Sequence, residues 1–357
     1  MSSITDLARR LDLAAKISAC ALALIMLPQT VLAADLVISN WDGYMAPDTA
    51  ANFKAATGLT IDVVTHATNE EIMGKLVASK GKGYDVVFVS SPFAEALNKQ
   101  GLTAPIDHTL VPNLANLYPQ AQALAYDPGN TFSVPYTWGT TGLCYRSDLV
   151  KTPVDSWMNL LAPDAAVKGK TTMLATDRWL MAAGLIAKGF SVNDPNPAHM
   201  ADATKLLIDA KKTLLAYDDT TFYSKLVSGE AVLVHAWDGW CNYGIDKNAA
   251  IKFIVPKEGS DLWVDTMVIM GGSEHKAAAA KFINFILDAK NHAWTAENID
   301  YKVPNKAAMA LMKPEFLAKF PNMTTTPEEL SKFELLRDLG AAQKDLSRSV
   351  SEIKAAN

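Results

Sequence analysis

Three short segments of the chain place a tryptophan beside or near an aspartate. They are Trp41-Asp42-Gly43-Tyr44, Trp237-Asp238-Gly239-Trp240 and Trp263-Val264-Asp265. The face of an indole ring attracts a cation by about 0.5–2 kcal/mol, and a neighbouring carboxylate accepts charge-assisted hydrogen bonds from an ammonium group. A single pair is more often a buried tryptophan beside a surface acid. Three pairs predict a chain that folds back to enclose an amine.

The composition limits the classes of protein to consider. The chain has 357 residues, of which 49% are hydrophobic and 20% charged, so it is long enough for about two globular domains. The formal net charge is −5 and no basic run is present. A weakly acidic chain is poorly suited to a phosphate backbone, so we expect no nucleic acid partner.

Residues 1–33 have the pattern of a cleavable signal peptide. Three basic residues come first, namely Arg9, Arg10 and Lys16, and an apolar run follows over 17–27. The run is too short for a membrane-spanning helix, and 31–33 offers residues suited to cleavage. Cys20 follows Ile17-Ser18-Ala19 as in a lipid-attachment site, but most of the apolar run comes after it, which disfavours lipidation.

Two cysteines follow this segment, Cys144 and Cys241. Neither lies in a CxxC motif, so the sequence indicates no redox or zinc centre. In an oxidising compartment they form one disulfide or remain two buried thiols, and sequence does not decide between these alternatives.

The sequence contains none of the common catalytic signatures. There is no GxxxxGK[ST] loop, no GxGxxG after the first strand and no GxSxG turn, and the six histidines lack metal-ligand spacing. We therefore expect a binding protein without metal or cofactor rather than an enzyme. The remote alternative is a secreted two-lobe hydrolase that uses Asp177 or Asp238.

The elements that must position these residues alternate between strand and helix. In the first third, strands are predicted at 36–39, 59–64 and 84–89, with a helix at 47–57 and another capped by Asn69. This βαβαβ pattern predicts a parallel sheet. Ligands bind such sheets beyond the carboxyl ends of the strands, which is where the pairs Trp41/Tyr44 and Ser90/Ser91 lie.

The rest of the chain predicts a second α/β unit. Residues 134–140 indicate an extended crossing between two lobes, and 262–269 a strand that crosses back. Further helices are predicted at 177–188, 199–213, 221–228, 274–289, 290–297, 305–312 and 334–354, and further strands at 231–235 and 251–255. Several extended crossings predict two lobes rather than two domains on one flexible linker.

The order and spacing of several motifs carry a family resemblance over nearly the whole chain after residue 33. The motifs are Asn40-Trp41…Tyr44, Tyr84-Asp85-Val86-Val87 leading to Ser90, Ser133-Val134-Pro135-Tyr136…Trp138-Gly139, Val255-Pro256-Lys257-Glu258-Gly259, Trp263-Val264-Asp265 and Tyr301…Pro304-Asn305. Together they resemble the periplasmic polyamine-binding proteins of ABC importers, the spermidine/putrescine-binding type.

The resemblance implies an α/β, two-lobe periplasmic binding protein fold of type II, with the ligand in the cleft between the lobes. It predicts lobe one at 34–139 and 266–309, and lobe two at 140–265 and 310–357. It also implies a monomer exported to the periplasm, whose partners are a small amine and the membrane permease of an ABC importer.

The resemblance further implies roles for individual residues. Trp41 and Tyr44 line the amine site from lobe one, and Ser90 contacts the ligand. Trp237, Trp263 and Tyr301 are aromatic walls, and Asp265 is the principal carboxylate. Asp238 is a second candidate acid.

The sequence departs from the family pattern at the other end of the site. The family's key glutamate falls on Trp179, Asp177 is offset by one from a second family acid, and Arg178 is present beside them. Further family contacts fall on Pro92 and Leu336. A guanidinium attracts a carboxylate, and Ser90, Ser91 and the helix start at 176–178 could add donors.

These departures predict a 4-aminobutyrate-type ω-amino acid as the ligand. In the alternative, Arg178 points to solvent or pairs with Asp177, and the protein binds putrescine or spermidine. A receptor of the same fold for another solute, such as an aminophosphonate or an opine-like amine, also remains open.

Overall fold

The computed structural model describes residues 34–356, so the predicted signal peptide lies outside the described residues. The described part contains ten strands: β1 Leu36–Asn40, β2 Ile61–Thr65, β3 Val86–Ser90, β4 Ser133–Arg146, β5 Thr171–Met173, β6 Ala216–Tyr217, β7 Leu233–Trp237, β8 Ile251–Ile254, β9 Asp261–Ile269 and β10 Glu334–Leu335. Across this part, no helix combines the length and apolar character needed to span a membrane.

The helices surround these strands. The α-helices are α1 Thr49–Thr57, α2 Asn69–Ser79, α3 Ser91–Lys99, α4 Pro119–Gln122, α5 Met158–Leu161, α6 Asp177–Ala187, α7 Pro197–Lys211, α8 Phe222–Ser228, α9 Asp238–Lys247, α10 Lys276–Ile286, α11 Ala289–Ile299, α12 Lys306–Met309, α13 Pro314–Lys319, α14 Pro327–Leu330 and α15 Gln343–Ala355. Single 3₁₀ turns occupy Pro112–Asn116, Pro321–Thr324 and Gly340–Ala342.

The strands join in the order β2-β1-β3-β9-β4-β7-β5-β6, with β10 beside β9 and β8 beside β4. The predicted βαβαβ unit is present, and β1 pairs in parallel with both β2 and β3. Strand β9 runs antiparallel between β3 and β4. The carboxyl end of β3 and the middle of β9 are therefore neighbours.

The long strand β4 connects two groups of strands. Its first part, residues 133–140, pairs with β9, and its second part, from Thr141 onward, pairs with β7 and β8. The predicted crossing at 134–140 is thus the first part of β4. The chain returns to the first group between β8 and β9, because β9 pairs with β3, β4 and β10.

The structure corrects two of the local predictions, and most of the other predicted ends differ from it by one to three residues. The side chain of Thr68, not Asn69, caps α2, accepting a hydrogen bond from the Glu71 backbone N–H. The helix predicted at 334–354 divides into β10, a 3₁₀ turn and α15. Gly340 has a φ of 55°, a left-handed conformation that interrupts a right-handed helix.

Cys144 of β4 and Cys241 of α9 form a disulfide, with their Cα atoms 5.9 Å apart. This settles the alternative that the sequence left open. Both cysteines are fully buried. The bond ties the start of α9, which carries Asp238, to the strand that connects the two groups.

Candidate functional site

The carboxylate of Asp265 lies at the meeting point of three strands. On β9, Asp265 is opposite Ser90 of β3 on one side and Thr137 of β4 on the other. Its Oδ1 accepts a 2.6 Å hydrogen bond from Ser90 Oγ, and its Oδ2 accepts a 2.9 Å hydrogen bond from Tyr44 Oη. Among the described residues, no cation lies within 4.0 Å of this carboxylate. Burial raises the pKa of Asp265 to about 6.

The two hydroxyls that bind Asp265 are themselves held in place. Thr137 Oγ1 lies 2.5 Å from Tyr44 Oη and donates to it, because the tyrosine proton is directed at Asp265. The Asn69 side chain donates to Ser90 Oγ and accepts from the Ser90 backbone N–H. The residue expected to cap α2 therefore orients the site instead.

Aromatic rings stand around this carboxylate. The ring of Tyr44 packs edge-on against Trp41 and Tyr301, with centroids 5.5 and 4.9 Å apart, and Tyr301 packs against Trp263 at 5.8 Å. Trp263 precedes Asp265 by two residues on β9, so both side chains point to the same face of the sheet. The structure thus brings together the side chains of Trp41, Tyr44, Trp263, Asp265 and Tyr301.

Two glycines allow this close packing. A Cβ atom on Gly139 would lie 2.4 Å from Asp238 Oδ1 and 2.5 Å from a ring carbon of Trp263. A Cβ atom on Gly239 would lie 2.4 Å from ring carbons of Tyr301. The sequence analysis names both glycines as members of motifs but gives neither a role of its own, because a glycine required by its neighbours has no local signature.

Asp238 is the first residue of α9 and is buried beside this cluster. Its carboxylate accepts hydrogen bonds from the backbone N–H groups of Thr140 and Gly239, at 3.3 and 2.9 Å. Burial raises its pKa to about 7, and the charge of nearby Lys302 opposes that increase. Lys302 is itself buried and donates to the backbone carbonyl of Thr325.

Trp237 and Trp179 form the adjoining wall. Trp237 of β7 lies opposite Thr141 of β4 and is partly exposed. Trp179 of α6 packs edge-on against it, with ring centroids 5.5 Å apart. Where the family resemblance implied a glutamate, the structure therefore places an indole against the cleft tryptophan.

Arg178 neither points to solvent nor pairs with Asp177, which were the orientations of the alternative interpretation. Its side chain is 1% exposed, and Nη2 donates to Asn193 Oδ1 at 2.8 Å and to the Arg337 carbonyl at 3.2 Å. Nε and Nη1 have no partner among the described residues. Burial lowers its pKa to about 10, against the opposing charges of Asp261, Asp338 and Glu334. Adjacent residues of helix α6 point about 100° apart. The side chain of Trp179 faces Trp237, and the side chain of Arg178 therefore points in another direction, within the protein interior.

The remaining predicted residues have partners within the protein. Asp177 is 3.3 Å from Lys354, so it does not pair with Arg178. Ser91 Oγ donates to the Leu336 carbonyl at 3.1 Å. At the start of α6, Asp219 accepts hydrogen bonds from the Ala175 and Thr176 backbone N–H groups, which leaves fewer donors for an anionic ligand than expected.

Comparisons with known proteins match the chain almost throughout. The family model described as bacterial extracellular solute-binding protein matches residues 48–325. The spermidine/putrescine-binding periplasmic protein of Salmonella typhimurium is 30% identical over 324 residues, covering 90% of this chain and 91% of that protein. The putrescine/cadaverine-binding protein of Pseudomonas aeruginosa is 31% identical over 341 residues, covering 91% of this chain and 95% of that protein.

A solved structure agrees with these sequence matches. The putative spermidine/putrescine ABC transporter protein from Listeria monocytogenes superposes with a TM-score of 0.83 at 28% identity. The superposition covers 90% of this chain and 99% of that one. The similarity therefore extends over both groups of strands.

Proposed function

Since the chain belongs to the bacterial extracellular solute-binding proteins and has their two-lobe α/β fold, we propose that it is the substrate-binding receptor of an ABC importer for a short linear amine. Its ligand lies in the cleft between lobes, and a membrane permease is its partner. A monomeric protein exported to the periplasm by residues 1–33 fits this role. The lobe limits predicted from the sequence, 139/140 and 265/266, stay predictions.

One observation carries the proposal. Asp265 is held by the hydroxyls of Ser90 and Tyr44 but has no cation beside it within residues 34–356. An ionised carboxylate removed from water is costly unless it is paired, and an ammonium group is the natural partner. The edges and faces of Trp41, Trp263 and Tyr301 would surround that ammonium and exclude water, which strengthens both the ion pair and the cation–π attraction.

The far end of the site favours a second cation over a carboxylate. Arg178 is the residue expected to bind an anion, and three acids already lie close enough to raise its pKa. Its Nη2 donates hydrogen bonds to two carbonyl oxygens. A ligand carboxylate would meet those acids as well as the guanidinium. Relatives about 30% identical are named for putrescine with spermidine or cadaverine, which supports a diamine or polyamine rather than the ω-amino acid first expected.

An ω-amino acid is retained as a second candidate because of one feature. Nε and Nη1 of Arg178 are buried and have no partner among the described residues, and buried donors are normally hydrogen-bonded. A hydrolase is not supported by the acids suggested for it, because Asp177 pairs with Lys354 and Asp238 accepts two backbone hydrogen bonds.

Isothermal titration of the purified mature protein tests the proposal. We expect putrescine to bind, and Asp265→Asn to weaken its binding by at least about a hundredfold, because the variant keeps the side-chain size and one acceptor oxygen but loses the charge. Asp42→Asn is the matched control, since Asp42 is exposed in the same loop as Trp41. Binding of 4-aminobutyrate but not putrescine would select the second candidate, and undiminished binding by Asp265→Asn would refute the site.

A further inference from the structure

Residues 334–338 form a short strap that touches both groups of strands. At its start, β10 pairs in parallel with the first residues of β9. The strap then passes α3, which follows β3 of the first group, and the Leu336 carbonyl accepts a hydrogen bond from Ser91 Oγ there. Beyond the strap, α15 packs against α6 and α7, which lie between β5 and β6 of the second group. The chain therefore crosses from one group to the other at the strap.

An ion pair fixes the strap to the first group. Glu95 of α3 is 7% exposed, and its carboxylate oxygens accept hydrogen bonds from Arg337 Nε and Nη2, at 2.9 and 2.7 Å. The Asp338 backbone N–H donates to the same carboxylate at 3.0 Å, and Lys99 Nζ lies 3.2 Å from it. Removing the cation from a buried carboxylate leaves an uncompensated charge, which is strongly unfavourable. We therefore expect this contact to persist when the groups move.

A single amide side chain makes most of the contact with the second group. Asn193, in the loop between α6 and α7, donates from Nδ2 to the Leu335 carbonyl at 2.8 Å and to Glu334 Oε1 at 3.2 Å. Its Oδ1 accepts from the Arg337 backbone N–H at 2.9 Å and from Arg178 Nη2 at 2.8 Å. An asparagine amide has two donor hydrogens and an acceptor oxygen with two lone pairs. All four are used here, three of them on the strap.

Arg337 is thus held from both sides, by Glu95 of α3 and by Asn193. If the two groups turn relative to each other, one of these sets of contacts must break. Glu95 carries a buried charge, whereas Asn193 is only half-buried. Neutral hydrogen bonds at such a position are exchanged for hydrogen bonds to water at a modest net cost. The contacts of Asn193 are therefore the ones that give way.

The amine site requires such a movement. The side chains of Tyr44, Trp263 and Tyr301 are 6%, 2% and 3% exposed, so an amine reaches Asp265 only after the groups have moved apart. The structure consequently shows the covered site together with the full set of strap contacts.

We propose that Asn193 is a latch, which holds the strap to the second group when the cleft is closed and releases it when the cleft opens. The assignment rests on the amine-binding function proposed above. The four partners of Asn193 lie outside the aromatic cluster around Asp265. The latch therefore contributes the same free energy to closure whichever amine is bound. It sets the affinity of the site without selecting among its ligands.

Calorimetric titration of the purified mature protein with putrescine, cadaverine and spermidine tests the latch. Asn193→Ala should weaken the binding of all three by one common factor, about 5- to 50-fold, because the hydrogen bonds to the strap are lost from the closed form alone. Stopped-flow tryptophan fluorescence should show the same factor in the dissociation rates, with the association rates little changed.

Asn196→Ala is the matched control. Asn196 lies in the same loop, but its side chain caps α7 by accepting a hydrogen bond from the Ala198 backbone N–H. Losing a helix cap lowers stability, so urea unfolding should show a lower midpoint for this variant, while its amine affinities stay at the wild-type values. This control separates a loss of stability from a loss of closure.

The outcomes distinguish the latch from the proposed function. If the wild type binds none of the three amines, the proposed function fails and the latch fails with it. If the wild type binds them and Asn193→Ala leaves the affinities unchanged, or weakens one amine far more than the others, Asn193 is not a latch although the protein remains an amine receptor. Equal weakening in Asn196→Ala would also overturn the assignment, because the effect would then belong to the loop as a whole.

Discussion

If Asp265 binds the amine as proposed, it does so at a cost to the stability of the unliganded protein. Its hydrogen bonds from Ser90 and Tyr44 favour the ionised form, but burial outweighs them and raises the pKa to about 6. A group that binds its proton more tightly in the folded than in the unfolded state makes folding less favourable once the pH exceeds both values. Within the described residues the ionised carboxylate therefore has two hydroxyl donors but no cation, and the proposed ligand would supply one.

Asp265→Asn should consequently stabilise the unliganded protein while removing its function. Above pH 6, we expect the variant to have a free energy of unfolding higher by on the order of 1–2 kcal/mol. The gain should diminish as the pH falls from about 6 towards 4, because the wild-type carboxylate becomes protonated there in the folded protein. Urea unfolding of both proteins between pH 4 and 8 measures this difference.

Putrescine provides the internal control for that experiment. It should raise the melting temperature of the wild type but not of the variant, since a ligand stabilises only the state that binds it. A variant less stable than the wild type at pH 8 would show that the carboxylate serves the fold rather than the ligand.

The residues of the proposed site differ in how well the sequence predicted their positions. Trp41, Tyr44 and Ser90 follow strands that the apolar pattern predicts, so their convergence was predictable, whereas the role expected of Asp265 came from the family resemblance. The direction of the Arg178 side chain was not predictable, because adjacent side chains on a helix point about 100° apart.

Among the elements, the βαβαβ unit was predictable because each of its signals is local. β3 is a run of apolar residues before Ser90, and Gly58 ends α1 with a left-handed φ of 77°. The region 334–354 was predicted wrongly as one helix. β10 forms by pairing Glu334 and Leu335 with Asp261 and Leu262, a contact between segments over seventy residues apart that no local pattern contains.

The disulfide between β4 and α9 makes a prediction at this scale. Cys144 and Cys241 are 97 residues apart, so the bond restricts a large loop of the unfolded chain. Replacing both by alanine should lower the free energy of unfolding by about 2–5 kcal/mol. Because Cys241 follows Asp238 by one helical turn, amine binding should weaken as well. Urea unfolding and calorimetric titration measure the two effects.

Reductant supplies the control for the double variant. Dithiothreitol should lower the stability of the wild type, once the buried bond is reduced, and leave the double alanine variant unchanged. Two titratable thiols in the denatured, unreduced wild type would contradict the disulfide.

At the scale of the whole molecule, the proposed cleft takes its residues from both groups of strands. Ser90 and Tyr44 belong to the segments around β1 and β3, Trp237 and Asp238 to those around β7 and α9, and β4 connects the groups. The family resemblance predicted from dispersed motifs is confirmed by the matches over nine-tenths of the chain. The dispersed motifs do not show how the two groups of strands are coupled, because this coupling depends on contacts made across the proposed cleft.

A ligand that touches both groups should protect both from local opening. With putrescine at about 100 times its dissociation constant, amides that exchange through separation of the groups should slow by about a hundredfold, corresponding to about 2.7 kcal/mol. We expect this slowing in residues 41–45 and in residues 237–241 together, measured by hydrogen–deuterium exchange with mass spectrometry. Asp265→Asn should show neither change, because it does not bind. Slowing confined to 41–45 would mean that the amine binds one group alone and that closure of the cleft is not linked to binding.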